Sequence, residues 1–302
     1  MFVSDDPDDA GVDVRAPDSD GRIVLEARPD RTYVHLFEPT QGFVVAATRR
    51  IDMDGPSNFR DLGGYPTIDG GATRWGRVFR SDGLDQLSDA DHDRLRHLGI
   101  TTVFDLRSEA EVEQAPDRLP DGIDHVHLPM SSDVAQQRSM LQRILDGDLP
   151  KFDEDDMADG YLRMLEGFPG ELARVLHAVA DGETVIVHCT AGKDRTGISA
   201  MTLLGHAGVA EPYILDDYEL SAMYRVHAAS GTNWFAERIR EAGYDPDDFV
   251  TLWGSPRTVM RKTLDGMRQR WGTHDDFIGT LGLDDEVARR ARSALRSDIT
   301  NR

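Results

Sequence analysis

The chain is organised around one segment, Val185-Ile186-Val187-His188-Cys189-Thr190-Ala191-Gly192-Lys193-Asp194-Arg195-Thr196-Gly197. Its first three residues are apolar and β-branched, which predicts a buried strand. Apolar residues then recur at helical spacing, at Ile198, Met201, Leu204 and Ala207, which predicts a helix. The loop between these elements lies at the carboxyl end of the strand and the amino end of the helix. Its backbone N–H groups can therefore converge on a tetrahedral anion.

Two side chains give this loop its chemistry. Cys189 stands at the start of the loop and Arg195 lies six positions later. Positive surroundings would favour the thiolate form of Cys189 near neutral pH, and a thiolate beneath a phosphate-sized cradle is a nucleophile aimed at phosphorus. Arg195 can hold two phosphate oxygens and stabilise the charge that develops in the transition state. The segment therefore predicts phosphoryl transfer to a cysteine.

Two other interpretations of the segment are weaker. A Walker-type nucleotide loop needs glycine where Val187 stands and serine or threonine where Asp194 stands. A buried structural role is the ordinary expectation for a lone cysteine beside a strand. Here, however, the combination Cys-x5-Arg, with His188 before it and Thr196 after it, is too specific for that expectation. The pattern favours the catalytic interpretation.

Composition limits the partners and cofactors. The 302 residues are 39% hydrophobic, enough for one sizeable core, and the net charge of −21 argues against nucleic acid and against docking on anionic membranes. A single cysteine excludes a disulfide framework and a thiolate zinc site. We interpret His125 and His127, which alternate on a predicted strand, as packing or surface residues rather than metal ligands. The sequence therefore predicts no metal and no cofactor.

The amino-terminal region has neither a signal-peptide pattern nor an apolar run long enough to span a membrane. A cytoplasmic location is the default expectation, with signal-independent secretion left open. Residues 1–20 are acidic and poor in apolar side chains, which predicts a disordered lead-in. In residues 21–50, β-like runs at Arg22–Ala27, Thr32–Phe37 and Phe43–Ala47 predict a small antiparallel β meander.

Residues 51–302 form the predicted catalytic domain. Strand and helix patterns alternate from residue 77 to residue 208, which predicts an α/β fold with a mostly parallel central sheet flanked by helices. The loop after Val187 would lie at the carboxyl edge of that sheet, where open α/β sheets bind ligands. Amphipathic patterns at residues 255–271 and 284–297 predict extra C-terminal helices.

Further motifs join the loop in a resemblance to a known family. They are Asn58-Phe59-Arg60-Asp61 near the start of the domain and Arg77-Val78-Phe79-Arg80-Ser81 on a predicted strand. With the loop, these motifs resemble the atypical bacterial branch of the cysteine-dependent protein tyrosine phosphatases, from about residue 55 to the C-terminus. The resemblance implies a metal-independent phosphatase that forms a cysteinyl-phosphate intermediate. It also implies activity on phosphotyrosine in proteins, with phosphoserine and phosphothreonine as further substrates.

The interpretation assigns two sets of site residues. The expected catalytic residues are Cys189, Arg195, Asp133, Asp194 and Thr196. The expected substrate-binding residues are His188, Thr190, Ala191, Gly192, Lys193, Asp194, Arg195, Arg60, Asp61 and Arg107. Arg107 is included because the Asp-Leu-Arg-Ser segment supports the active-site face in the resembling family, and an ordinary surface arginine is the alternative.

The general acid has two candidates. Asp133 follows Pro129 where the mobile acid-bearing loop of the family would fall, although Ser132 occupies the position of the family's aspartate. Asp194 lies inside the cradle, where repulsion from a bound phosphate would favour its protonated form. We favour Asp133 as the acid, with Asp194 shaping substrate choice. A purely structural role for Asp194, accepting hydrogen bonds from loop amides or arginines, is the other alternative.

Three further questions stay open at the level of sequence. Residues 216–253 could form a helical lid like the inserted helices of the resembling branch, or they could simply pack on the domain. The substrate could be a phosphoinositide or another small phosphomonoester, or the chain could be a phospho-binding pseudophosphatase. Arsenate reduction would need a second cysteine, which the chain lacks.

Overall fold

The structure is a computed structural model of this chain. The residues that it describes are 2–9, 13–14, 18–20, 31–38, 42–131, 140–147, 151–224 and 232–297. The predicted strand Arg22–Ala27 and the predicted acid Asp133 both lie outside the described residues.

A small antiparallel sheet occupies the amino-terminal region. Its strands are β1 (Phe2–Ser4), β2 (Asp13–Val14), β3 (Tyr33–Glu38) and β4 (Gly42–Ala47), in the spatial order β2-β1-β3-β4. The prediction of a disordered lead-in is therefore wrong for β1, whose Val3 is buried. The average composition of residues 1–20 does not predict β1, because apolar residues of the acidic segment are concentrated in this strand, where β3 supplies a backbone partner.

Arginine side chains attach this sheet to the main domain. Arg31 donates a hydrogen bond to the Asp61 carboxylate at 2.5 Å, and the pair is almost fully buried. The Asp61 carboxylate also accepts the backbone N–H groups of Gly63 and Gly76. The guanidinium of Arg49 lies 3.6 Å from the centre of the Tyr65 ring, a favourable cation–π contact. Asp61 thus anchors the amino-terminal sheet, and these contacts do not support the prediction that it binds substrate.

The central sheet is mixed and mostly parallel. Two short strands pair beside it, β6 (Ala72–Thr73) with the last strand of the chain, Arg296–Ser297. The central strands are β5 (Arg60–Asp61), β7 (Val78–Ser81), β8 (Thr102–Asp105), β9 (Asp124–His127) and β10 (Val185–His188). They lie in the order β5-β7-β10-β8-β9, and only the β5–β7 pair is antiparallel. The predicted fold class is confirmed.

Helices cover both faces of this sheet. In chain order they are α1 (Asp89–His97), α2 (Glu109–Gln114), α3 (Met140–Leu145), α4 (Glu154–Gly167), α5 (Pro169–Ala180), α6 (Asp194–His206), α7 (Glu211–Tyr224), α8 (Thr232–Glu241), α9 (Val250–Trp253), α10 (Arg257–Trp271), α11 (His274–Gly279) and α12 (Asp285–Ala294). A 3₁₀ turn, Pro246–Phe249, precedes α9. Within the described residues, no helix combines the length and apolar character needed to cross a bilayer.

The side chains of β10 show how the core is divided. Val185 and Val187 point into the large cluster formed with α4, α5, α6 and α7, whereas Ile186 points into a smaller cluster on the opposite face. This alternation is what a strand buried on both faces requires. Helix α6 is buried along nearly its whole length, so the loop between β10 and α6 is held between two rigid, central elements.

Two C-terminal helices, α10 and α12, fall where the sequence predicts them. The predicted lid, residues 216–253, contains the end of α7, then α8 and α9, and residues 225–231 of it lie outside the described part. Its movement over the site stays a prediction.

Candidate active site

The predicted cradle lies at the carboxyl edge of the parallel strands. His188 ends β10 and pairs in register with Ser81 of β7 and Asp105 of β8. The loop then passes through Gly192, whose φ is +64°, and a Cβ atom there would lie 2.5 Å from the Ser81 carbonyl oxygen. Only glycine fits this position without a backbone shift.

The carbonyl groups of the loop are engaged on its outer side. Gly83 N–H donates to Thr190 O at 3.2 Å, and the Asn58 amide donates to Ala191 O at 3.2 Å and Gly192 O at 3.0 Å. The N–H groups of Ala191 and Gly192 share peptide units with the Thr190 and Ala191 carbonyls, and no described residue accepts a hydrogen bond from them. Since a peptide unit directs its N–H and C=O groups oppositely, this arrangement leaves donors for an anion on the inner side.

A buried arginine pair supports the outer side of the loop. Arg80 donates to Gly192 O at 2.7 Å and to the Asp217 carboxylate on α7 at 2.5 Å. Arg60 donates to the same carboxylate at 3.0 Å. Burial opposes ionisation of Asp217, but the two guanidinium groups outweigh it and hold its pKa below the usual value. Helix α7 is thereby tied to the cradle.

Arg60 itself does not contact the cradle. A guanidinium has five N–H donors. Those of Arg60 go to the Asp217 side chain and carbonyl, the Ser221 hydroxyl, and the side chain and carbonyl of Asn58. No donor remains for a phosphate, so these contacts do not support the prediction that Arg60 binds substrate. Its role is to hold Asn58 and α7 in place.

Arg195 keeps two donors available. Its Nη1 donates to Leu106 O at 3.2 Å and to Glu111 Oε2 at 2.6 Å, and its Nη2 donates to Glu111 Oε1 at 2.7 Å. The Nε–H group and the second Nη2–H group have no acceptor among the described residues, and they lie along one edge of the guanidinium. That edge matches two oxygens of a phosphate.

Glu111 fixes this orientation, and sequence reasoning missed it. Burial opposes its charge, but the hydrogen bonds from Arg195 and from the Thr190 hydroxyl, at 2.6 Å, lower the pKa of Glu111 to about 2. Burial also opposes the charge of Arg195, but Glu111 and the neighbouring Cys189 raise the pKa of the guanidinium above its usual value. The only signal in the sequence was the spacing of Ser108 and Glu111, three residues apart. These residues form a capping box at the start of α2, but that pattern by itself indicates only a helix start.

His188 faces a buried charged cluster below the cradle. Its Nε2 atom lies 3.0 Å from Asp117 Oδ2 and 3.7 Å from Asp105 Oδ1. Burial opposes ionisation of both carboxyls, but hydrogen bonds with His125 and charged neighbours lower their pKa values. Hydrogen bonds to the same carboxylates raise the pKa of His125 to about 9. His125 is therefore a charged partner rather than a simple packing residue.

Arg107 belongs to this cluster. It donates to Asp105 at 2.8 and 2.7 Å, to Asp117 at 2.8 Å and to Ala115 O at 2.7 Å. Most of its donors are thus used below the loop, where Arg107 holds the two carboxylates beside His188. It is buried and is not an ordinary surface arginine, and its part in substrate binding stays a prediction. Ligand atoms of Asp105, Asp117 and His188 lie within 4.8 Å of one another, close enough to hold a cation. We interpret the group as an ion-pair network because Arg107 and His125 already balance the two carboxylates.

The Lys193 side chain points away from the predicted substrate position. It is 1% exposed, and its ammonium group donates to Thr251 O at 3.0 Å, Leu252 O at 2.7 Å and Gly254 O at 2.9 Å. An ammonium group has three donors, so these carbonyls satisfy all of them. The Lys193 side chain thus joins the loop to the end of α9, and these contacts do not support the prediction that it binds substrate.

The remaining predicted residues lie around the loop. Cys189 is a free, buried thiol at the base of the cradle. The hydroxyl of Thr196, in the first turn of α6, is buried and has no hydrogen-bond partner among the described residues. Asp194 begins α6, and its Oδ1 atom accepts a hydrogen bond from the Tyr161 hydroxyl. Neither Arg80 nor Arg107 bonds to Asp194, and Tyr161 was not foreseen from the sequence.

Comparison with known proteins identifies the family of the chain. The model of the tyrosine phosphatase family matches residues 51–297. The triple specificity protein phosphatase PtpB of Mycobacterium tuberculosis is 36% identical over 189 residues, which cover 55% of this chain and 67% of that protein. A putative tyrosine-protein phosphatase of Cupriavidus necator is 35% identical over 81% of this chain and 89% of its own length. A tyrosine-protein phosphatase of Nostoc commune is 35% identical over 72% and 73%, respectively. The resemblance found in the sequence is confirmed: the chain belongs to the tyrosine phosphatase family and is a phosphomonoester hydrolase of that type.

Proposed function

We propose that this enzyme hydrolyses phosphotyrosine in proteins through a phosphocysteine intermediate. The Cys189 thiolate attacks phosphorus in line, the S–P bond forms, and the leaving oxygen departs with a proton from a carboxylic acid. Water then attacks phosphorus, the S–P bond breaks, and the thiolate is released. The Thr196 hydroxyl is buried and has no partner in the part of the chain that the structure describes, so it is suited to donate to the departing sulfur.

The orientation of the Arg195 guanidinium is the observation that supports this proposal. Glu111 and Leu106 hold the guanidinium so that its Nε and Nη2 edge keeps two donors. Together with the inward N–H groups of the loop, these donors can bind the three equatorial oxygens of the phosphoryl group in the transition state. Preorganised donors of this kind lower the barrier because they need no reorientation during the reaction.

The contacts of Lys193 favour a singly phosphorylated substrate. The loop has two cationic side chains. Lys193 donates its hydrogen bonds to three backbone carbonyl groups, and Arg195 has donors for one phosphate. A second phosphate, as on a polyphosphorylated inositide, would find no free cation of the loop. The overall charge of −21 further disfavours anionic lipid surfaces.

A neighbouring cleft suits a peptide flank. It has a volume of about 420 Å³ and opens beside Thr190 and Glu111, with Asp82 and Asp85 on its wall. We expect broad activity on tyrosine, serine and threonine phosphates; the mycobacterial relative is itself named a triple specificity protein phosphatase. Basic residues beside the phosphorylated one would be favoured by the acidic wall.

The test compares rates on a phosphotyrosine peptide and on a short-chain inositol bisphosphate lipid, with wild type and Cys189→Ser. We expect the peptide to be the better substrate. Acid quenching should trap one phosphate per Cys189 in wild type. Cys189→Ser should lose turnover and still bind inorganic phosphate, because the cradle survives. Retained turnover in the serine variant would overturn the mechanism, and a faster rate on the lipid would overturn the substrate assignment.

A further inference from the structure

Two buried tyrosines reach the cradle from below. Tyr161 on α4 donates a hydrogen bond from its hydroxyl to Asp194 Oδ1, and its oxygen lies 2.7 Å from the hydroxyl of Tyr218 on α7. Their rings meet edge to face, with centres 6.0 Å apart. Tyr161 and Tyr218 are only 2% and 1% exposed. The carboxylate at the start of α6 is thus connected to a rigid part of the core.

Both phenols stay protonated over the working pH range. Burial raises the pKa of Tyr161 well above its usual value, and the negative charge of Asp194 adds to the effect. Burial and Asp194 likewise raise the pKa of Tyr218. Tyr161 has a single hydroxyl hydrogen, and Asp194 accepts it, so the short contact with Tyr218 is made by the Tyr218 hydrogen. Tyr161 is therefore a fixed donor to Asp194.

The two oxygens of Asp194 have different surroundings. Oδ1 accepts from Tyr161 and lies 3.4 Å from the Lys193 ammonium group. Oδ2 has no hydrogen-bond partner among the described residues, and the side chain is 33% exposed. When the carboxyl is protonated, Tyr161 keeps Oδ1 as an acceptor, so the proton must sit on Oδ2. The tyrosine thereby selects which oxygen can deliver a proton.

We propose that Asp194 Oδ2 protonates the leaving oxygen and that Tyr161 is the positioning residue that presents it; this inference rests on the phosphatase mechanism proposed above. As the S–P bond forms and the P–O bond breaks, the Oδ2 proton moves to the leaving oxygen and Asp194 becomes a carboxylate. In the second step Oδ2 takes a proton from the attacking water while the S–P bond breaks. Tyr161 keeps its own proton throughout.

The test is a leaving-group comparison in a double-mutant cycle. The variants are Asp194→Asn, Tyr161→Phe and their combination, assayed on p-nitrophenyl phosphate and on benzyl phosphate. An activated aryl leaving group needs little protonation, whereas the alkoxide does. For benzyl phosphate we expect kcat to fall about 100-fold in Asp194→Asn, within the range for loss of a general acid. For Tyr161→Phe we expect a fall of about tenfold, since misplacing a reacting group by about 1 Å can cost up to 10²-fold. With p-nitrophenyl phosphate both losses should be below about threefold.

The combined variant is expected to equal Asp194→Asn, because Tyr161 acts through Asp194. The proposal is overturned if Tyr161→Phe slows both substrates equally, or if the two losses multiply. It is also overturned if Asp133→Asn, rather than Asp194→Asn, shows the selective loss on benzyl phosphate.

Tyr65→Phe is the matched control. Tyr65 is also buried, and its hydroxyl donates to Asp217 at 3.1 Å, so the variant removes the same atom from another tyrosine–carboxylate bond. We expect it to change the rates on both substrates by the same factor. A selective loss as large as that of Tyr161→Phe would show that the effect is only structural.

The cycle separates this inference from the proposed function. If phosphocysteine forms in wild type but Asp194→Asn has no leaving-group selectivity, only the inference fails. If no phosphocysteine forms and Cys189→Ser remains active, the mechanism itself fails. Should Tyr161→Phe not fold, as judged by its thermal transition, the Asp194→Asn and Asp133→Asn arms still decide whether Asp194 is the donor.

Discussion

Replacing Glu111 with glutamine tests the orientation of Arg195 directly. The two hydrogen bonds between these side chains measure 2.6 and 2.7 Å, and glutamine can accept only one of them. Glutamine keeps an acceptor for the cap at Ser108, so α2 should persist. The substitution therefore loosens the guanidinium, and it also affects the acceptor of the Thr190 hydroxyl.

The size of the effect follows from the ion pair. Burial opposes the Glu111 charge and Arg195 more than offsets it, so the pKa falls from 4.5 to about 2, which at 1.36 kcal/mol per pKa unit corresponds to about 3 kcal/mol. A third of the Glu111 side chain is exposed, and screening reduces this to about 2 kcal/mol. Ordering a released arginine costs up to about 2 kcal/mol. We therefore expect kcat/KM for p-nitrophenyl phosphate to fall about 10- to 30-fold.

The matched control is Glu109→Gln, which makes the same substitution at an exposed position on the first turn of the same helix. It should leave kcat/KM within about twofold of wild type, as surface substitutions usually do. A loss below about threefold in Glu111→Gln, or an equal loss in Glu109→Gln, would refute the reasoning that Glu111 preorganises Arg195.

The same pair makes an acid-stability prediction. Because the folded-state pKa of Glu111 is depressed, its contribution to folding is present above pH 4.5 and is lost as the pH falls toward about 2. Urea midpoints measured between pH 5 and 2.5 should therefore fall less steeply for Glu111→Gln than for wild type. Parallel curves would contradict the assignment.

Three further outcomes are expected. Arg195→Lys, which keeps a charge but not the two-point grip, should lose about 10²-fold or more in kcat, and a loss under tenfold would place the arginine away from the phosphate. Lys193→Met should lower the free energy of unfolding by about 3 kcal/mol in urea titrations, because three carbonyls lose their donor, and unchanged stability would contradict the contact with α9. His125 has a raised folded-state pKa, so its stabilisation is complete below pH 6.5 and is lost as the pH rises through about 9. The melting temperature of His125→Gln should thus be less sensitive to pH between 6.5 and 9.5, and an unchanged pH profile would exclude its pairing with Asp105 and Asp117.

Local and periodic signals accounted for the core of the fold. The apolar run of β10, the helical spacing of α6 and the loop between them are contiguous, so the sequence alone predicts a nucleophile at Cys189 and a phosphate grip at Arg195. Strand and helix alternation likewise predicts the parallel sheet that places the loop at its carboxyl edge. The prediction of a disordered lead-in did not foresee β1, because average composition carries no information about its pairing with β3, which lies about thirty residues away in the chain.

The partners of charged side chains were decided only by the tertiary structure. The sequence could place Arg60 and Lys193 near the cradle, but it could not show that Asp217 and the carbonyls of residues 251–254 use their donors. Nor could the sequence show that Glu111 would accept hydrogen bonds from Arg195, or that Tyr161 would donate one to Asp194. These partners are 33 to 157 residues apart in the chain. A side chain has a fixed number of donors and acceptors, and folding determines which groups come close enough to use them; the sequence therefore determines the reacting atoms, whereas the tertiary structure determines which charges remain free to act on a substrate.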